Sequence, residues 1–142
     1  MKRIITGIIF SVLLISLSCD EKMFLVKCGE CVENEPVEVL LDVKVDDHLG
    51  GTEVTPEIRI YEGNLEDSIL LGTFKIQFLR LWQYNVPVNK KYTLTATYIT
   101  GNAVYVAIDS ATPRVRYESQ KCENPCYYVY DKTVNLRIKY TK

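Results

Sequence analysis

The chain has 142 residues, enough for one domain and short of two ordinary ones. Apolar residues make up 47% of it and charged residues 25%, a globular balance that excludes wholesale disorder. Seventeen Lys and Arg against 18 Asp and Glu give a net charge of −1, which excludes a general basic field for nucleic acid, and the lone histidine, His48, removes His-rich metal sites and His-dependent triads.

Lys2 and Arg3 precede an apolar run from Ile4 to Leu17, with Ser18 and Cys19 after it. A basic head, an apolar stretch and a small residue before the cut describe a secretory signal peptide. A membrane-spanning helix needs about 20 apolar residues, and the polar Asp20-Glu21-Lys22 ends this run too early. Ser16-Leu17-Ser18-Cys19 resembles a bacterial lipobox, with Ser16 where Leu is usual and Leu17 where a small residue is commoner. That looser form, followed by the acidic Asp20-Glu21, resembles the lipoproteins of the Bacteroidota. The resemblance implies that Cys19 receives a diacylglycerol and becomes the first residue of the mature chain. It implies a lipid-anchored outer-membrane protein, with Asp20-Glu21 as a surface-export signal; in enterobacteria the same Asp would retain the protein at the inner membrane. The expected divisions are a signal peptide over 1–18, the acylated cysteine and a short linker over 19–27, and one domain over 28–142. Cleavage leaves 124 residues with a net charge of −3, enough to bury about two-thirds of the unfolded surface in one core.

Beyond the linker the hydropathy alternates with period two. Val37, Val39, Leu41, Val43 and Val45 share one face of a half-buried strand. Asp46 to Thr55, with Gly50-Gly51 inside, reads as a loop. Ile58 and Ile60 mark a second strand, closed by a turn at Glu62-Gly63-Asn64. Ser68 to Phe74 and Lys75 to Trp82 read as one bent strand or two short ones. Phe74, Ile76 and Phe78 share a face and Leu79 and Leu81 take the other, which predicts a bulge or turn. Tyr92, Leu94, Ala96 and Tyr98 alternate with Thr93, Thr95 and Thr97, and Gly101-Asn102 joins this strand to one from Ala103 to Ile108. Arg114 to Tyr117 is a further short strand. The last runs from Tyr127 to Tyr140, kinked at Asp131-Lys132, with Val134, Leu136, Ile138 and Tyr140 inward.

Seven or eight short strands with regular turn signals predict an all-β domain, a single antiparallel β-sandwich. Asn85 to Tyr98 resembles the late strand of immunoglobulin-like and transthyretin-like sandwiches. The mature chain is similar to small Bacteroidota surface lipoproteins whose last strand follows a Cys-x-x-Pro-Cys-Tyr-Tyr turn, here Cys122 to Tyr128. That likeness implies a fold and a surface location and carries no activity.

Four cysteines remain beyond Cys19, as the pairs Cys28/Cys31 and Cys122/Cys126, each just before a strand. If the first and last strands run the same way, the pairs meet at one end of the domain. Three readings stand: disulfides, a structural Cys₄ zinc site, and a redox-active Cys-x-x-Cys. The third wants a helix starting at the first cysteine, and Cys31 is instead followed by Val-Glu-Asn-Glu-Pro and a strand. Trp82, Tyr84, Tyr127, Tyr128 and Tyr130 are candidate ligand contacts, because exposed rings stack on sugars or anchor proteins; strand aromatics also fill cores. Asp42, Asp46 and Asp47 offer oxygens for Ca²⁺ without EF-hand spacing, and His48 among them reads as a surface residue. No phosphate loop or nucleophile elbow is present, and no pair of acids stands out. The expectation is therefore a non-catalytic, lipid-anchored binding or structural module of the cell envelope, with no cofactor. Its expected partners are the membrane through Cys19 and a protein or glycan, with nucleic acid excluded; a carbohydrate-binding role for the aromatic residues is the alternative.

Overall fold

Alternating apolar and polar residues become strands along nearly the whole chain in the computed structural model, which describes residues 26–67, 69–101 and 103–139. The signal segment, Cys19 and the linker up to Leu25 lie outside the described residues, as do Ser68, Asn102 and Tyr140. Eleven strands are present among the described residues: β1 (Glu38–Lys44), β2 (His48–Leu49), β3 (Thr52–Glu53), β4 (Glu57–Glu62), β5 (Ile69–Lys75), β6 (Leu81–Pro87), β7 (Tyr92–Thr100), β8 (Ala103–Ala111), β9 (Arg114–Glu118), β10 (Cys126–Tyr130) and β11 (Thr133–Asn135). The only helical elements described are single 3₁₀ turns at Cys28–Glu30 and Leu65–Asp67.

The count exceeds the expected seven or eight for two local reasons. The expected loop at Asp46–Thr55 contains the small hairpin β2–β3, closed by Gly50 and Gly51 at φ +57° and +80°. Both turn positions take the left-handed conformation that a two-residue hairpin turn requires and that glycine adopts without penalty. The expected last strand is divided at Asp131, whose φ of +55° turns the chain out of β10 and into β11. The third expected boundary also moves: Ile76 to Arg80 is a connection, and β6 starts at Leu81 and runs to Pro87.

Four sheets result. One has the order β5-β4-β7-β8, wholly antiparallel, and another the order β11-β1-β6; β9–β10 and β2–β3 are two-stranded. β11 lies parallel to β1, from Asp42↔Thr133 to Lys44↔Asn135, so the first and last strands do run the same way and pairing is not purely antiparallel. A bulge between Ile60 and Tyr61 shifts the β4–β5 register.

One core cluster draws on both larger sheets: Leu41 and Val43 of β1, Val86 of β6 and Val134 of β11 join Ile58 and Ile60 of β4 and Tyr92, Leu94, Ala96 and Tyr98 of β7. Tyr98 is fully buried and fastens the two sheets together. Its hydroxyl donates to the Leu136 carbonyl at 2.8 Å and accepts from the Asp46 amide at 3.2 Å. Burial raises the Tyr98 pKa to about 12. Tyr92, also buried, donates its hydroxyl to the Pro87 carbonyl at 2.9 Å. Among the described residues every buried side-chain nitrogen and oxygen has a partner, as a stable core requires.

Candidate functional site

Three places in the fold gather the residues singled out by the sequence. The first is the cysteine end. After the 3₁₀ turn at Cys28–Glu30, Val32 pairs with Tyr127, each amide donating to the other's carbonyl at 2.9 and 2.8 Å. That bridge holds the leading segment against the start of β10 and brings the two cysteine pairs together. They form two disulfides, Cys28–Cys122 and Cys31–Cys126, with Cα separations of 5.6 and 5.5 Å. Each joins the N-terminal pair to the C-terminal pair, the first of the three readings. The redox reading lacks its helix, since the backbone leaves the 3₁₀ turn at Cys31 in an extended conformation. The sulfurs of Cys31, Cys122 and Cys126 lie within 4.8 Å of one another, and in disulfides none is the thiolate that zinc binds.

Charges brace this end. The Glu30 carboxylate meets Lys27 and Lys132, each at 3.3 Å, and the Lys132 contact is the larger cause of its lowered pKa. Glu118 accepts the backbone amides of Gln120 and Lys121 at 2.9 and 3.1 Å, which lowers its pKa and orders the turn carrying Cys122. Tyr127 and Tyr128 line a small cavity of about 170 Å³ with Glu30, Pro36 and Lys132. Tyr128 itself is 9% exposed, Tyr127 stacks at 5.0 Å on Tyr117, and Tyr130 lies 6.4 Å from Tyr128.

The second place is an aromatic triad. Trp82 and Tyr84 of β6 meet Phe74 of β5 at 4.9 and 5.2 Å, and each other at 5.6 Å. All three are partly buried and pack on the core, so Trp82 and Tyr84 are not an open platform. Gly72 makes the packing feasible: a Cβ there would stand 2.7 Å from the Phe74 ring. The ring that does stand in solvent is Phe78, 72% exposed at φ +57°. The sequence put Phe78 on the same face as Phe74 and Ile76. The change of phase at Leu79 and Leu81 was the signal that the strand had ended before it.

The acidic loop does not assemble. Asp42 accepts from the Gln83 amide at 2.8 Å, Asp46 from the Ile138 amide at 2.7 Å, and Asp47 holds Arg80 at 2.9 Å. The Arg80 guanidinium lowers the Asp47 pKa. His48 is exposed, 3.4 Å from the Asp47 carboxylate.

The third place was not singled out from sequence. β8 is an edge of the four-stranded sheet, and its outward residues Val104, Val106 and Ile108 are 63%, 57% and 57% exposed. With Ile99 of β7 at 67%, they form an apolar stripe, beside which lie the half-buried Thr97 opposite Val106 and the buried Thr95 opposite Ile108. No charged residue falls on this face of β7 or β8. The inward face of β8 carries Tyr105, Ala107 and Asp109. Asp109 ties the strand to β11 by accepting the Asn135 amide at 2.7 Å. Beside it an open groove of about 480 Å³ runs between residues 105–109 and the stretch containing Asn135 and Arg137 to Lys139. No family model, curated protein or solved structure matches the chain.

Proposed function

We propose that the protein is a non-catalytic, lipid-anchored module of the bacterial cell envelope whose task is binding or assembly. The observation that carries the binding role is the uncharged stripe of Ile99, Val104, Val106 and Ile108 beside an open strand edge. Soluble monomers scatter exposed apolar side chains, whereas contiguous stripes on a flat sheet mark interaction surfaces. The two larger sheets form an immunoglobulin-like or transthyretin-like sandwich in this reading, supported by the single core to which both contribute. Anchoring at Cys19 of an outer-membrane, surface-exposed protein rests on the Ser16 to Cys19 lipobox resemblance. The two disulfides suit an oxidising compartment.

Two experiments test this. Radiolabelled palmitate should enter the full chain expressed in a bacterial host and be lost in Cys19→Ser; globomycin should cause precursor to accumulate. Unlabelled protein and unchanged gel migration would refute the anchor. For the binding role, the chain immobilised through its C-terminus should retain envelope proteins or glycans that Val106→Lys releases; equal retention by both would remove the stripe from the function.

A further inference from the structure

We infer that the outer edge of β8 is the docking site for a second copy of this chain, with the two β8 strands antiparallel and centred on Val106. The inference rests on the binding-module reading and names its partner. The Gly63 amide donates to the Lys91 carbonyl in the β4–β7 register, so Thr93, Thr95 and Thr97 bond toward β4, and alternation across β7 aims the N–H and C=O of their β8 partners Val104, Val106 and Ile108 away from β7. Among the described residues these groups have no partner. The free run ends at Ser110, whose amide is taken by the Asp109 carboxylate at 2.9 Å. Three open positions therefore remain, and their centre is Val106.

A two-fold axis at Val106 pairs Val106 with its own copy and Val104 with the copy's Ile108. All six open backbone groups on each copy then find partners, and the exposed stripe becomes continuous across the axis. On the inward face Tyr105 meets the copy's Ala107, a large residue against a small one. Asp109, the only charge on β8, meets Ala103 and never its own copy, so no like charges oppose. Of the devices that blunt edges the strand has no Lys, no Pro and no bulge in its pairing with β7, and its one inward-pointing charge, Asp109, is engaged by the Asn135 amide of the same chain. The pairing covers the strand edge and sets the two stripes side by side on one face, so it takes less than the ~800 Å² that a standard tight interface takes from each partner. Affinity in solution is therefore modest, and tethering to one membrane raises the local concentration that drives pairing.

The test is sedimentation of the full chain in mild detergent across a wide concentration range. A monomer–dimer equilibrium is expected, and Val106→Lys, which sets two lysines face to face on the axis, should raise the dissociation constant at least about tenfold. Below the parent's dissociation constant, where both are monomeric, the melting curve of the same variant should match the parent's, because residue 106 points to solvent. Val106→Cys should form a reducible dimer, as the paired Cα atoms fall within disulfide range, while Val104→Cys, which faces Ile108, should not. A chain monomeric at every concentration, or a dimer indifferent to Val106→Lys, overturns the inference. A dimer that crosslinks through Val104→Cys in preference to Val106→Cys overturns the register. A monomer that still retains other envelope proteins through the stripe leaves the binding-module reading standing, and a monomer that retains none removes both.

Discussion

Replacing Tyr98 by Phe isolates the contact that fastens one sheet to the other. The ring keeps its place in the core, but the Leu136 carbonyl and the Asp46 amide lose the hydroxyl that serves them both. An unpaired backbone group in a buried setting costs about 1–3 kcal/mol, so the variant should lose about 2–4 kcal/mol, toward the low end because Asp46 is partly accessible to water. Urea denaturation of the full chain measures this directly. A second signature comes from pH. Burial holds the folded-state pKa of Tyr98 at about 12, whereas an unfolded tyrosine ionises near pH 10. Between these values the unfolded chain has released the proton and the native chain has not, so stability falls as pH rises. The slope is about 1.4 kcal/mol per pH unit, about 2–3 kcal/mol across the window, and the contribution is intact below pH 10. Tyr98→Phe should remove that part of the alkaline decline, read as the difference between the two proteins. Stability within about 0.5 kcal/mol of the parent, or an unchanged alkaline slope, would refute the role given to the hydroxyl.

Other outcomes follow from the same geometry. With one disulfide intact, the other closes only a short ring through residues 28–31 and 122–126, whereas the first to form spans 94 or 95 positions. Removing either by paired Cys→Ser exchange should therefore cost about 2–3 kcal/mol and removing both about 7 kcal/mol, a coupling that equilibrium denaturation detects and simple additivity would contradict. Trp82→Ala should destabilise by about 2–3 kcal/mol, since the ring packs on the core with Phe74 and Tyr84; a stable variant would restore Trp82 as a surface contact. Gly72→Ala should displace the Phe74 ring and shift Trp82 fluorescence, and an unaltered spectrum would disprove the close approach. The Asp47 pKa is lowered by Arg80, so the ion pair's contribution is present above the ordinary aspartate range and lost as pH falls through the depressed folded value; in Arg80→Gln an NMR titration should return Asp47 toward that range.

Strand positions were legible because burial on one face imposes period two, which β1 and β4 show in burial and β7 shows in residue type, Thr alternating with apolar residues although both faces are buried from Tyr92 to Ala96. The kink at Asp131 was legible for the same reason: a polar pair interrupts an alternating run. What period two does not encode is the pairing partner. Asp46 to Thr55 carries only two apolar residues, Leu49 and Val54, both buried but too few to display an alternation, and the pairing of the hairpin β2–β3 depends on two glycines at positive φ. The cysteine spacing favoured disulfides and left zinc open, and only the folded chain, through the Val32–Tyr127 bridge and the parallel course of β1 and β11, decides which sulfurs meet. For Trp82 and Tyr84 the sequence left both a ligand contact and core filling open; they lie on β6, where alternation turns both toward Phe74.

The most consequential residue pattern inverts the usual reading. In β1, Leu41, Val43 and Val45 point inward, as alternation leads one to expect. In β8 the apolar Val104, Val106 and Ile108 point to solvent, while Tyr105 and Ala107 pack against the core and the charged Asp109 meets the Asn135 amide. A slip of one residue would exchange the two faces. It is prevented at both ends, by the β7 register that begins at Thr100↔Ala103 and by the Asp109 carboxylate bound to the Asn135 amide. The fold thus spends a charged group on the inside of β8 and leaves branched aliphatic side chains outside. Burial within one chain gives no reason for that arrangement, whereas pairing of two chains sets the stripe beside its own copy, because the stripe and the open backbone groups occupy the same strand and share the same centre.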